Sequence, residues 1–525
     1  MFENVLGQGA AGQLIDDINA NTLSRAMLFS GPPASGKGTA ALELGRVTSC
    51  EAETIGLGNL PGKAREVAEW NCACPACSRH RLLIHPDLLC IGRKNFSAEI
   101  AASAGAFLRE AALRGEAPPT KLATPTPLAA SPGKTDSSPC RLLFIRSVRK
   151  LLLRFSPVLW EDDPKAGKIS PLVNSLEEGL DELSSFTDTD KVGDAKGTPG
   201  KFVVDKIVES IQKDAAKLQS EGMSETIPIA QLRRAAFWCR LAPSGREKLL
   251  VIENADRMQE EGRNSLLKLL EEPSARLRIV LTSARPGSLS PTILSRLRPY
   301  RFNSRGAAVE AEVIKRVFRD KAALMETASI EAGSSGTTST EAASIRLAPY
   351  LDSFLPVSAS DLEALSSYFA ASVAYKAALL SKRDGRPLPE ELVLLGKYSA
   401  PKAEAAGLGR PKEDSGPVIA TILEKADKFE VRSLFSRFLY SLLEQVSQSQ
   451  RAAATPKPAN QAPLPVDNPS PPKDPATGFL PSIACHELWA RCCNLAESAV
   501  GTYNLRPAQV LEKLFTDLSR GMAGL

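Results

Sequence analysis

The sequence contains no run of 18 apolar residues. Its first residues, MFENVLGQGAAGQ, lack the basic stretch followed by an apolar one that marks a secretory signal. The expectation is a cytoplasmic protein without membrane partners. A net charge of +5 over 525 residues is too small to act as a nucleic-acid footprint, so any such contact has to come from local patches. No internal repeat is evident. Four segments lack apolar periodicity and read as linkers: 115–139, 186–201, 331–344 and the Pro-rich 452–478.

What is present is the composition of a globular protein, 43% hydrophobic and 24% charged, in a chain long enough for two to four domains. The short apolar runs RAMLFS (25–30), KLLVIE (248–253) and RIVLTS (278–283) suit parallel strands covered on both faces. RNSLLKLLEEP predicts a helix from about Arg263, with Leu266, Leu267 and Leu270 inward and a stop at Pro273. Strand, glycine loop and helix, followed by further such units, predict a doubly wound α/β domain. Beyond about residue 310 the apolar spacing is helical.

GPPASGKGTA, Gly31 to Ala40, fits the phosphate-loop pattern G-x-x-x-x-G-K. Gly31, Ser35 and Gly36 would supply the backbone cradle and Lys37 a cation for the outer phosphates. The residue after the lysine ordinarily offers a hydroxyl to Mg²⁺, but here it is Gly38, and Thr39 comes one place late. In VIENAD, Glu253 stands where the metal-coordinating carboxylate is expected. The following Asn254 cannot accept a proton as a general base would, and Asp256 reads as a helix cap.

Ten cysteines do not form a secreted framework: Cys72, Cys74 and Cys77 crowd together, with Cys50 upstream. Four thiolates suffice for a closed structural Zn²⁺ site. The short Cys72–Cys74 gap and the long loop after Cys50 leave those two ligands open, with His80 or Cys90 as replacements. His85 reads as a packed turn residue. RSVRKLLLR (146–154) is a basic cluster that can face phosphates, although a solvated helix face is the commoner use of such a pattern.

Residues 227–302, above all NSLLKLLEEP and TILSRL, resemble the bacterial clamp-loader ATPases, the gamma/tau and delta-prime subunits of DNA polymerase III. Residues 1–95 and, more loosely, the last 45 are similar to matching parts of the same family. The resemblance implies an AAA+ nucleotide-binding α/β domain over 1–305, with a zinc module at about 50–90 and an atypical insertion at about 105–224. It implies a helical lid over 306–400 and an all-α collar over 401–525, through which five subunits form a ring that uses ATP to load the sliding clamp onto primed DNA. It also implies that Ser295 and Arg296 project into a neighbour's ATP site, Arg296 as an arginine finger. Gly38, the Glu253–Asn254 pair and the missing lid arginine favour a delta-prime-like subunit with a degenerate site over a gamma/tau motor. The loop is also similar to that of adenylate kinases, but the arginine-rich transfer segments of such kinases are absent.

Overall fold

The computed structural model describes residues 1–51, 69–92, 94–116, 138–161, 163–185, 200–224, 226–320, 346–355, 357–387, 389–409, 431–454, 483–501 and 505–524. The linkers read from the sequence lie outside these residues except at their ends. The chain divides into two compact units, Met1–Leu355 and Pro356–Leu525.

The first unit is built on five parallel strands: β1 (Ala26–Ser30), β2 (Leu88–Ile91), β3 (Lys248–Ile252), β4 (Leu277–Ser283) and β5 (Arg298–Arg301), in the order β2-β3-β4-β1-β5. The three strands expected from apolar runs are β1, β3 and β4. Strand side chains alternate between the two faces, so each continuously apolar run feeds two cores. Leu28, Ile91, Ile252 and Leu281 join one buried cluster, while Met27, Phe29, Cys90 and Val251 join the other.

The second of these cores is closed by the helices Gly9–Asn19 and Lys37–Thr48. The first is closed by a much larger helical layer, Ser97–Glu116, Pro139–Leu152, Ala166–Ser185 and Gly200–Gly222, with Ile229–Arg240 and Glu260–Glu271. Most of the stretch read as an atypical insertion is therefore part of the main core. Phe144, Val148, Leu176 and Leu218 are all fully buried there. The helix expected from Arg263 starts at Glu260, and its inward residues are Leu266, Leu269 and Leu270, with Leu267 only half-buried. The acidic Glu260 and Glu261 occupy its first turn, where the helix dipole favours them.

The second unit is all helical among its described residues: Ala359–Arg383, Glu390–Ala405, Val431–Ala454, Ile483–Gly501 and Pro507–Ala523. Ser358 and Asp361 form a reciprocal capping box that starts the longest of these. Phe369 packs edge-on against both Phe438 and Phe515 at the centre, with Trp489 fully buried nearby in the same core. No helix among the described residues is long and apolar enough to cross a membrane.

Candidate functional site

The glycine loop runs from the end of β1 into the helix Lys37–Thr48. Gly36 has φ +96°, and a Cβ there would meet the Arg305 guanidinium at 2.7 Å, so both backbone shape and space require glycine. Arg305 is itself buried, donating to the carbonyls of Leu6 and Ala34, and so braces the loop from one side. Lys37 does not extend outward. Its Nζ donates to the Gly31 carbonyl at 2.6 Å, to the Pro32 carbonyl and to Ser35 Oγ at 3.2 Å. Burial lowers the Lys37 pKa to about 8, with Glu253 offsetting part of that shift. Thr39 is half-buried inside the first turn of the helix.

Glu253 follows β3 and is buried. One carboxylate oxygen accepts from Arg154 Nη2. The other lies 2.6 Å from where a Cβ on residue 38 would stand. The glutamate thus fills the space a serine or threonine would need, and Gly38 is the residue that leaves room for it. Burial works against the Glu253 carboxylate, but Arg154 and then Lys94 outweigh it and hold its pKa below the usual value. Asn254 adopts a left-handed conformation, φ 51°, and its backbone amide donates to Thr282 Oγ1 at 3.2 Å. Asp256 caps no helix: it sits inside the short turn Ala255–Arg257 and accepts from Ser283 Oγ at 2.8 Å. Its neighbour at the strand end, rather than a free helix amide, claims the carboxylate.

The basic cluster 146–154 is neither a solvated face nor exposed to phosphates. Cations at 146, 149, 150 and 154 share one helical face, which turns inward. Arg146 donates to the carbonyls of His80 and Arg81, and Arg149 to that of Leu82 at 3.0 Å. Lys150 pairs with Glu99, which also holds Lys94 at 2.8 Å. Arg154 takes Glu253. This face ties the helical layer to the cysteine-bearing segment and, through Glu253, to the end of β3. Arg154, Arg305, Lys94 and Glu99 are site residues that motif reading missed. The one available signal was the recurrence of cations along 146–154, which defines a face without saying what it meets.

Cys50, Cys72, Cys74 and Cys77 converge, with all four sulfurs within 4.8 Å of one another. Cys50 Sγ is 3.8 Å from Cys72 Sγ and 3.9 Å from Cys74 Sγ. A tetrahedral zinc with Zn–S bonds of about 2.3 Å places its sulfurs about 3.8 Å apart, so the residues fit such an ion. The Cys77 amide donates to Cys74 Sγ and Arg46 Nη1 to Cys77 Sγ, both at 3.4 Å; at Cys77 burial and the neighbouring cysteines still push the thiol up, with Arg46 pulling against them. Burial pushes the Cys74 thiol up, but the Cys77 amide and the other groups donating to it bring it down to about 7. The proposed replacements are elsewhere. Cys90 is buried in β2, and His80 stacks on His85 with ring centroids 4.1 Å apart. Burial, with His85 and Arg46 adding to it, lowers the His80 pKa to about 3. His85 behaves as a turn residue, its Nδ1 accepting from the Asp87 amide.

Ser295 and Arg296 follow the short helix Pro291–Leu294 and precede β5. Arg296 is half-buried; Nη2 donates to Glu271 Oε1 at 2.6 Å and Nη1 to the Thr292 carbonyl at 2.6 Å. Ser295 Oγ donates to the same carbonyl at 3.1 Å. The guanidinium is therefore positioned at the surface by the end of the helix Glu260–Glu271, away from the loop residues grouped around Lys37 and Glu253.

Residues 194–305 match the family described as DNA polymerase III, delta subunit. That span contains Glu253, Asn254, Ser295 and Arg296. Over this segment the chain is similar to DNA polymerase III clamp-loader subunits. The curated DNA polymerase III subunit delta' of Pseudomonas aeruginosa is 35% identical over 107 residues, 20% of this chain and 33% of that protein. The clamp-loader likeness in sequence thus spans about a third of the relative's length. A solved DNA polymerase III, gamma subunit-related protein from Thermotoga maritima aligns with 57% of this chain and 81% of its own at 15% identity, with a TM-score of 0.23 that carries no weight for the fold. The α/β assignment of the first unit rests on its own parallel sheet and helices.

Proposed function

We propose that this chain is a delta-prime-type subunit of a bacterial clamp loader, assembling with other loader subunits into a five-membered ring that places the sliding clamp on primed DNA in the cytoplasm. In this reading residues 1–305 are the AAA+ domain, 306–400 the lid and 401–525 the collar. Its own nucleotide loop is degenerate, and its contribution to chemistry is Arg296, offered to the ATP bound by a neighbour. A guanidinium in trans stabilises charge developing on the γ-phosphate, an effect of roughly 10³- to 10⁵-fold where such fingers operate. The observation that carries the reading is the match over 194–305, which holds the finger residues together with a second acidic motif that lacks its base.

The four cysteines hold a structural Zn²⁺ in this proposal. Its thiolates are Cys50, Cys72, Cys74 and Cys77, and Arg46 is the outer donor that orients Cys77. ATP can still occupy the loop without being hydrolysed there. The test is reconstitution with partner subunits: Arg296→Ala assembles normally and lowers the DNA-stimulated ATPase of the complex. Unchanged turnover rejects the finger, and ATP hydrolysis at an ordinary rate by the isolated chain favours the gamma/tau alternative.

A further inference from the structure

Glu253 occupies the place where a P-loop site needs a carboxylate free to order the hydration shell of Mg²⁺. It is not free. Arg154 holds Oε2, and Oε1 reaches toward Gly38, where the hydroxyl ligand would have been. Mg²⁺ requires six oxygen donors in near-ideal octahedral geometry at about 2.0–2.1 Å. Of the two donors that the protein normally contributes, one is deleted and the other is already paired with a cation.

Arg154 is fixed in that position. It is 6% exposed, its guanidinium lies 4.9 Å from the centre of the Phe96 ring, and Nη1 donates to the Lys150 carbonyl. Its own carbonyl accepts from Trp160 Nε1 at 2.8 Å, so backbone and side chain are both held. The surrounding charge points the same way: Lys37, Lys94, Lys150 and Arg154 face three carboxylates, Glu99, Glu253 and, next to Lys37, Asp256. The excess is positive, which disfavours a divalent cation and favours a polyphosphate.

We propose that Arg154, delivered by the helical layer, is a built-in substitute for the divalent cation, so that Glu253 holds no Mg²⁺ and the loop takes a nucleotide only in metal-free form. The proposal rests on the reading of the loop as non-hydrolysing and adds the cause. It also gives the basic cluster a role: the residues that staple the helical layer to the sheet end in the one that closes the metal position.

The test uses Mn²⁺ as a paramagnetic stand-in for Mg²⁺, with ATP and the full chain in buffer free of chelator. For the wild type, the electron paramagnetic resonance signal of Mn·ATP is expected to be unaffected by protein. ATP affinity, measured by calorimetry, is expected to be no tighter with Mg²⁺ than without it. Arg154→Gln, which keeps the polar bulk and removes the charge, is expected to immobilise Mn²⁺ and to gain Mg²⁺-dependent ATP binding of at least about tenfold. A wild-type chain that immobilises Mn·ATP and loses this on Glu253→Gln overturns the proposal, as does a folded Arg154→Gln variant indifferent to the metal. If that variant does not fold, the wild-type spectra decide alone. Mn²⁺ binding without ATP turnover would reject only this proposal; turnover by the isolated chain would reject the reading beneath it.

Discussion

Lys37 is tied to two carbonyls of its own loop, and burial has brought its pKa from 10.5 to about 8. Its Cε resonance is expected to titrate near pH 8 in carbon NMR. Because the folded value lies below the unfolded one, the unfolded chain binds more protons between about 8 and 10.5, and stability rises with pH across that window. Lys37→Met is therefore expected to stabilise at pH 7, with the advantage shrinking as pH approaches 10.5. A constant advantage in denaturant titrations would show that the lysine is not buried in its charged form. The thiols make a second residue-level prediction. Metal analysis should find one zinc per chain, retained in Cys90→Ala and lost in Cys74→Ala, with melting lowered in the second. Spacing makes Cys74 and Cys77 legible as ligands but leaves Cys50 and Cys72 open, and the convergence of all four sulfurs is visible only in the fold. The sequence could not say that His80 stacks on another histidine instead, because that depends on what the helix Lys37–Thr48 packs against it.

At the scale of elements, three of five strands were legible because a strand buried on both faces must be continuously apolar. β2 is apolar too, but it is four residues long and follows a turn. β5, RPYR, exposes three of its four residues at the sheet edge and carries no apolar run. The largest gap was the helical layer. The helices Ser97–Glu116, Pro139–Leu152 and Ala166–Ser185 lie outside the matched segment 194–305, yet they help close one face of the sheet and lead to Arg154. Gly38 and Glu253 show the same limit. The sequence links them only as departures from one motif, whereas the 2.6 Å approach makes them one feature in space. Gly38→Ser is expected to destabilise by about 1–3 kcal/mol, the usual cost of overpacking, because Arg154 prevents Glu253 from stepping aside. Glu253→Asp shortens the carboxylate by one methylene and should recover much of that loss. A double-mutant cycle by chemical denaturation checks the coupling; additive effects would mean that the two positions do not share space.

Across the whole molecule, two separately cored units carry distinct chemistry. The first holds a glycine loop whose lysine is held by the loop's own carbonyls, together with a guanidinium at its surface. The second is an all-helical body without such a site among its described residues. On the proposed function, the chemistry of this chain rests on what Arg296 does for another subunit. Glu271 bears on this directly: it holds Arg296 at 2.6 Å, which would order the proposed finger and also compete with a phosphate for it. Glu271→Gln is expected to leave assembly intact and to change turnover of the complex far less than loss of the arginine does. The most direct measurement sets Arg296→Ala against Lys37→Ala in a reconstituted loader and reads DNA-stimulated ATP hydrolysis. The account predicts reduced turnover for Arg296→Ala and near wild-type turnover for Lys37→Ala. The reverse pattern, with the loop lysine essential and the arginine dispensable, would contradict it.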